Sequence, residues 1–307
     1  MPDASRLPTE PSDLAAPSVR RDDPVRGILL VVLAVLFFTC SDAAAKHLSQ
    51  TLPSLEIAWL RYASFALLVV PVVVRGGPNV LRTDRPLLQI LRGLGMLGSA
   101  VFFILGLTYL PMAEAAAISY VNPAFVTALS IPFLGERVGI RRWAAVVIGL
   151  IGVMIVIRPG SAAFDASAVF PILSAMSWAI GIIVTRRMTG SEDATTTLVW
   201  TALTGLVVLS VLLPFNAVMP TPTELAVGLL IGVASTTAQW LLILAYRYGD
   251  ASVLAPYSYI QLVWSTAAGY LVFSAVPDLW TFAGMAVIVA SGVYTAHRER
   301  LRARRPA

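Results

Sequence analysis

The chain has 307 residues, of which 57% are apolar or aromatic and 13% charged, about half the charged share of an ordinary soluble domain. That balance excludes a water-soluble fold and leaves room for about ten membrane spans of roughly 20 residues. The net charge of +5 comes from 21 Arg and a single Lys scattered between apolar runs, which reads as membrane topology and not as a nucleic-acid surface.

Residues 1–26 form a polar, Pro-containing tail too poor in large apolar side chains to pack a core, and are expected to be disordered. The apolar run that follows is longer than a signal-peptide core and is expected to stay in the mature protein. Apolar runs bounded by Pro, Gly or charge predict five spans over 27–48, 55–74, 88–109, 113–134 and 143–157. Five more follow over 167–185, 195–213, 225–246, 251–273 and 279–296, and a basic tail closes the chain over 298–307. Only Leu110, Pro111 and Met112 separate the third span from the fourth. With the N-terminus inside, 19 of the 22 Lys and Arg fall on the inside, Arg92 at the inner end of the third span being counted with the connection before it, and only Arg158 falls outside, while Lys46 and Arg61 lie within spans. Such asymmetry predicts an all-α integral membrane protein of ten spans with both termini cytoplasmic, and the bias of Arg over Lys points to a bacterial inner membrane.

The chain repeats itself at an offset of 139 to 140 residues. Tyr109 matches Tyr248, Ser119 and Tyr120 match Ser258 and Tyr259, Asn122 matches Gln261, and Gly93 matches Gly232. After a one-residue slip Gly152 and Val153 match Gly292 and Val293. Five spans per unit is odd, so the second unit, 166–297, runs inverted relative to the first, 27–158. Inverted repeats are the architecture of secondary transporters, whose substrates bind near the midplane where the halves meet.

The stretch Tyr109 to Ile157, YLPMAEAAAISYVNPAFVTALSIPFLGERVGIRRWAAVVIGLIGVMIVI, carries a mid-helix Pro, an LGER turn, a short basic segment, a Trp and a Gly-spaced helix. It resembles the EamA-type family of the drug/metabolite transporter superfamily, over nearly all of 27–297. The second unit departs from the pattern, since FSAVPDLW at 273–280 lacks the Glu and Arg of the first. Within the family the chain looks most like the bacterial amino-acid exporters of the YddG type. That likeness implies export of small amphipathic metabolites, aromatic amino acids among them, by a monomer in the bilayer. Drug, sugar-phosphate and nucleotide-sugar carriers are the alternatives within the superfamily, and a non-transporting membrane protein lies outside it.

Candidate residues fall into three groups. Asp42 and Lys46 share one face of span 1, and Arg61 lies in span 2; these charges suit either a polar gate or an ion-pair cluster that holds the two spans together. Asp42 is also a candidate proton carrier. Asn122, Pro123, Ser258 and Gln261 lie on matched faces of spans 4 and 9 and suit either a cavity wall or hydrogen bonds between packed helices. Pro123 removes a backbone donor and frees a carbonyl upstream. The aromatics Phe102, Phe103, Tyr120, Trp178, Trp240, Tyr257 and Tyr259 are mid-span and suit enclosure of a ring, or core and lipid packing. The family resemblance favours Tyr120 and Trp178 as cavity residues. No nucleotide-binding, zinc-peptidase, nucleophile-elbow or haem motif occurs, and His47 and His297 are far apart in sequence, so neither a catalytic residue nor a metal or cofactor is expected.

Overall fold

The computed structural model describes residues 23–303 except 137, 163, 189, 190, 216 and 250. The predicted tail up to residue 22 and the last four residues of the basic tail lie outside them. Among the described residues the protein is helical, with no strand. The helices are α1 Pro24–Leu48, α2 Ser54–Gly76, α3 Pro86–Tyr109, α4 Met112–Ser119, α5 Asn122–Leu134 and α6 Ile140–Ile157. The second half holds α7 Val169–Met188, α8 Ala194–Leu212, α9 Pro222–Ala245, α10 Ala251–Leu254, α11 Ile260–Phe273 and α12 Leu279–Ala303. Eight helical stretches are long and apolar enough to cross a membrane, the segment Met112–Leu134 counting as one, and Arg142–Ile157 is a ninth, shorter apolar helix.

Two of the predicted continuous spans are interrupted. Between α4 and α5 the backbone tightens into three-residue turns, with the Tyr120 amide donating to Ala117, Val121 to Ile118 and Ala124 to Val121. Pro123 has no amide to give the Ser119 carbonyl, so the regular helical ladder cannot pass through. Between α10 and α11 the chain runs through a 3-10 segment, Ala255–Tyr259, entered at Pro256. There the Ser258 hydroxyl donates to the Ala255 carbonyl at 2.7 Å, supplying one of the donors that the interrupted ladder lacks.

The stop after each interrupted span repeats as well. Gly135 ends α5 at φ 67°, its amide on Ile131 and that of Glu136 on Ser130. Ser274, 139 residues later, ends α11 at φ 53°, its amide on Tyr270 and that of Ala275 on Gly269. Both are left-handed C-caps that satisfy the last carbonyls.

Helix contacts pair across the chain. α1 packs on α9 and α3 on α7; α2 touches both α8 and α9, and α3 also touches α8; α6 packs on α12, α5 on α7, and α11 on α1 and α4. Small residues set these approaches. A Cβ on Gly95 would lie 2.9 Å from the backbone of Gly181, one on Gly232 would lie 2.1 Å from Ser64, and one on Gly152 would lie 2.9 Å from the Gly284 carbonyl. The Gly228 and Gly232 pair therefore packs against α2 inside the monomer. The largest core surrounds α4, whose Ala113, Ala115, Ala116 and Ala117 are small enough to be buried on every side.

Candidate functional site

Tyr120, at the end of α4, and Tyr259, at the end of the 3-10 segment, meet face to face with ring centroids 4.8 Å apart and planes inclined by 21°. The Tyr120 hydroxyl donates to the Ser258 carbonyl at 3.0 Å. The two breaks thus cross each other, and each supplies a ring to the crossing. Phe103 on α3 packs against the same core as the tyrosine pair. Asn122 opens α5 two residues after Tyr120, and its buried side-chain oxygen has no hydrogen-bond partner. A buried acceptor without a partner is an exception in a folded protein. Gly292 on α12 leaves room for the tyrosine pair, because a Cβ there would fall 1.9 Å from the Tyr259 hydroxyl.

Trp178 is 38% exposed, yet it does not lie with the outward stripe of Leu173 and Ile180 on α7. At roughly 100° per residue it sits about 150° round the helix from them. It follows Ser174, which bonds Ser99 on α3, by one turn, and Ala175, buried in the core around α4, by three residues. It therefore lies on the side of α7 that meets α3 and the core around α4.

The other predicted residues are dispersed. Trp240 is 62% exposed on the stripe of α9 that carries Leu229 and Val233, facing away from the bundle. Phe102 lies beside Gly98. Tyr257 is exposed on the 3-10 segment, and Gln261 is half-buried in the first turn of α11. Asp42 is buried and Arg61 half-buried on the inner faces of α1 and α2. Lys46 does not pair with Asp42: its ammonium donates to the carbonyls of Leu107 and Leu110 at 2.6 and 2.7 Å, capping α3, and sits 5.6 Å from the Phe273 ring centre.

One polar cluster was missed in the sequence. Arg92, counted with the connection between spans 2 and 3, lies buried within α3 and donates to the Thr185 hydroxyl at 2.8 Å, the Thr197 carbonyl at 3.3 Å and Thr201. One turn earlier, Gln89 donates to Glu192 at 3.1 Å and to Thr197 at 3.3 Å. A cleft of about 480 Å³ lined by Arg82, Asp84, Glu192 and Asp193 opens beside the cluster. The i, i+3 pair Gln89 and Arg92, facing Thr197 and Thr201 at i, i+4, was the available signal.

The EamA-like transporter family model matches residues 25–158 and again 166–295. The chain belongs to the EamA-like transporter family. Relatives within reach by sequence are transporters of several solutes. An S-adenosylmethionine uptake transporter of Rickettsia prowazekii is 29% identical over 90% of this chain and 94% of its own. A riboflavin transporter of Rhizobium johnstonii is 31% identical, over 92% and 95% of the two chains. A pseudopaline exporter, CntI, of Pseudomonas aeruginosa is 31% identical over 89% and 97%. A crystal structure of a protein 22% identical to this one aligns over 91% of this chain and 99% of that chain with a TM-score of 0.63, a likeness of fold. The protein is a multi-pass membrane transporter of a small metabolite and not an enzyme.

Proposed function

We propose that this EamA-family protein is a secondary transporter that moves small amphipathic, ring-bearing metabolites, amino acids including aromatic ones among them, across a bacterial inner membrane by alternating access. It works as a monomer of ten spans in two inverted units, 27–158 and 166–297, with both termini in the cytoplasm. The observation that carries the proposal is the crossing of two interrupted helices, one per half, through the stacked Tyr120 and Tyr259, with the open Asn122 oxygen beside it. Backbone interruptions at membrane depth survive only where they are buried in protein or line a cavity, and in transporters such breaks hold the substrate. A ring can be gripped there by stacking, and polar groups can meet the exposed backbone.

Further support comes from exchange of the halves. Swapping the helices of 27–158 for those of 166–297 turns the contact of α1 with α9 into that of α7 with α3, and that of α5 with α7 into that of α11 with α1. The α6–α12 and α2–α8 contacts map onto themselves. The double family match has the same two boundaries within three residues.

A second reading, carriage of a heteroaromatic such as S-adenosylmethionine or riboflavin in either direction, is favoured by the relatives named for those solutes. Flux into proteoliposomes separates the two. Purified protein is given labelled tryptophan, phenylalanine, threonine, S-adenosylmethionine, riboflavin and a sugar phosphate, with and without a pH gradient. Saturable tryptophan or phenylalanine flux that Tyr120→Ala and Trp178→Ala lower by roughly tenfold or more is the expected result. Flux of S-adenosylmethionine or riboflavin alone replaces the amino-acid assignment, and a preparation that moves none of the six overturns both.

A further inference from the structure

Among the described residues, the buried or half-buried charges of Lys46, Glu56 and Arg92 are satisfied by the protein itself. Lys46 is spent on two carbonyls of α3. Glu56, buried in the first turn of α2, accepts the Val218 amide at 3.0 Å. Arg92 is held by three threonines. Half-buried Glu114, in the first turn of α4, makes no hydrogen bond or ion pair among the described residues and lies in the opposing fields of Arg158, Asp278 and Asp165. Asp42 and Arg61 are the unpartnered charges within the long helices α1 and α2. Neither makes a hydrogen bond, or an ion pair within 4 Å, among the described residues, although each lies within electrostatic reach of the other.

Both side chains point inward. Asp42 is 8% exposed and follows Val35 by seven residues and Thr39 by three, all buried, while Leu33 and Cys40 mark the opposite, exposed face of α1. Arg61 follows Ile57 by one turn and Ala58 by three residues, both completely buried. α1 packs on α11 and on the 3-10 segment that carries Tyr259, so the unpaired carboxylate belongs to the helix that borders the tyrosine crossing.

An unpaired charge of either sign within a membrane span is expensive, and such residues face substrate or ion paths. An anion would complete Arg61 and repel Asp42, and a metal ion or a proton would complete Asp42 and leave Arg61 open. Only a ligand with both signs completes the two together without adding net charge to the bundle. We propose that Asp42 and Arg61 form a zwitterion subsite, the carboxylate taking the ammonium and the guanidinium the carboxylate of an α-amino-acid headgroup. In such a headgroup the two groups hang from one carbon, about 2.5 Å apart, which suits two fixed charges too far apart to touch each other. The guanidinium offers a two-pronged match to a carboxylate. This assignment rests on the proposed transport of ring-bearing metabolites, and adds that the ring carries an aminocarboxylate.

The test is equilibrium binding to the full-length protein in detergent, with flux measured in parallel in liposomes. The probes are tryptophan, tryptamine, which lacks the carboxylate, indole-3-propionate, which lacks the amine, and riboflavin. Wild type is expected to bind tryptophan at least about tenfold more tightly than either single-charge analogue. Asp42→Asn should weaken tryptophan and tryptamine by roughly 10- to 100-fold and leave indole-3-propionate unchanged, and Arg61→Gln should do the converse. Equal loss for all three indoles in both variants, or no loss, overturns the subsite. If Arg61→Gln does not fold, Arg61→Lys replaces it: a preference for tryptophan over tryptamine that falls several-fold in a folded variant supports the subsite, and a preference kept at the wild-type value overturns it. Wild type that moves riboflavin but binds no zwitterion sinks the subsite and leaves the transporter reading standing. Binding with the expected charge pattern but no flux of any probe does the opposite.

Discussion

Ser274 holds φ at 53°, where a side chain crowds the following carbonyl and glycine does not. Its counterpart, Gly135, meets the same demand with no Cβ. Ser274→Gly should therefore stabilise the protein by about 0.5–1 kcal/mol, and Gly135→Ala should cost about 1 kcal/mol. Thermal unfolding in detergent reads both, and a lower Tm for Ser274→Gly would mean that the hydroxyl contributes more than the backbone strain. Gly292 is the second residue where a single Cβ decides the outcome. A methyl group there overlaps the Tyr259 hydroxyl, so Gly292→Ala should displace the ring from its stack on Tyr120. We expect a loss of about 1–3 kcal/mol in stability and a drop in substrate affinity larger than that caused by Gly149→Ala, whose Cβ would meet Ser291 only at an ordinary 3.8 Å. Unchanged affinity in a folded Gly292→Ala protein would remove the tyrosine stack from the binding site.

The same contrast between satisfied and screened groups separates elements. Arg92 ties α3 to α7 and α8 from a buried position, whereas Glu136 meets Arg142 and Arg186 at 3.7 and 3.1 Å in exposed pairs. Arg92→Met should cost about 1–3 kcal/mol, because threonine oxygens lose a charged donor. Arg142→Met should change stability by less than about 0.5 kcal/mol. Similar melting shifts for the two would place Arg92 in a solvated cleft. Asp278 joins elements at another end: it caps α12 through the Thr281 amide at 2.8 Å and pairs with Arg158 at the end of α6. The Thr281 amide first, then the Thr281 side chain and Arg158, hold its carboxyl below the ordinary value of 3.8 against the opposing effect of desolvation. A depressed folded value stabilises above the ordinary pKa and loses that contribution as pH falls through the folded one. Asp278→Asn should thus lower Tm at neutral pH, and the gap to wild type should close as pH falls below the ordinary carboxylate value and through the depressed one; a Tm gap that persists in acid would contradict the assignment.

Element positions were largely legible in the sequence, because runs of Leu, Val, Ile and Ala bounded by charge or proline carry the cost of burial in lipid directly. The narrow division at Leu110 to Met112 is a real helix boundary, with α3 ending at Tyr109 and α4 starting at Met112. The breaks were half legible. Pro123 announced a lost donor, and the Ser-Tyr match located the crossing, but hydropathy is blind to a 3-10 segment whose composition equals that of its flanks. Trp240 shows the remaining limit. Its place in mid-span is sequence information, whereas its outward face depends on which side of α9 meets α1 and α2, and that is settled only by packing.

For the whole molecule, topology is the property on which the inverted-repeat proposal stands, and the lone cysteine makes it measurable. Cys40 is exposed on α1, so a Cys40→Ser background removes its signal without opening the core. Four single cysteines then mark four connections: Thr83→Cys before α3, Ala162→Cys after α6, Ser191→Cys before α8 and Met219→Cys before α9. Met219 is 94% exposed, and all four lie between helices. Arginine crowds the first connection, at Arg82 and Arg85, and the third is flanked by Arg186 and Arg187, whereas Arg158 is alone beside the second. The cytoplasmic side attracts such charge. A membrane-impermeant thiol reagent added to intact cells should therefore label Ala162→Cys and Met219→Cys, and should reach Thr83→Cys and Ser191→Cys only after lysis. Units in parallel would require an even number of crossings between equivalent points. Thr83, between the second and third spans of the first unit, corresponds to the Met219 connection of the second, and the two should label from opposite sides. Labelling of both from the same side would overturn the inversion, and with it the reason for expecting Tyr120 and Tyr259 to approach one substrate from two directions.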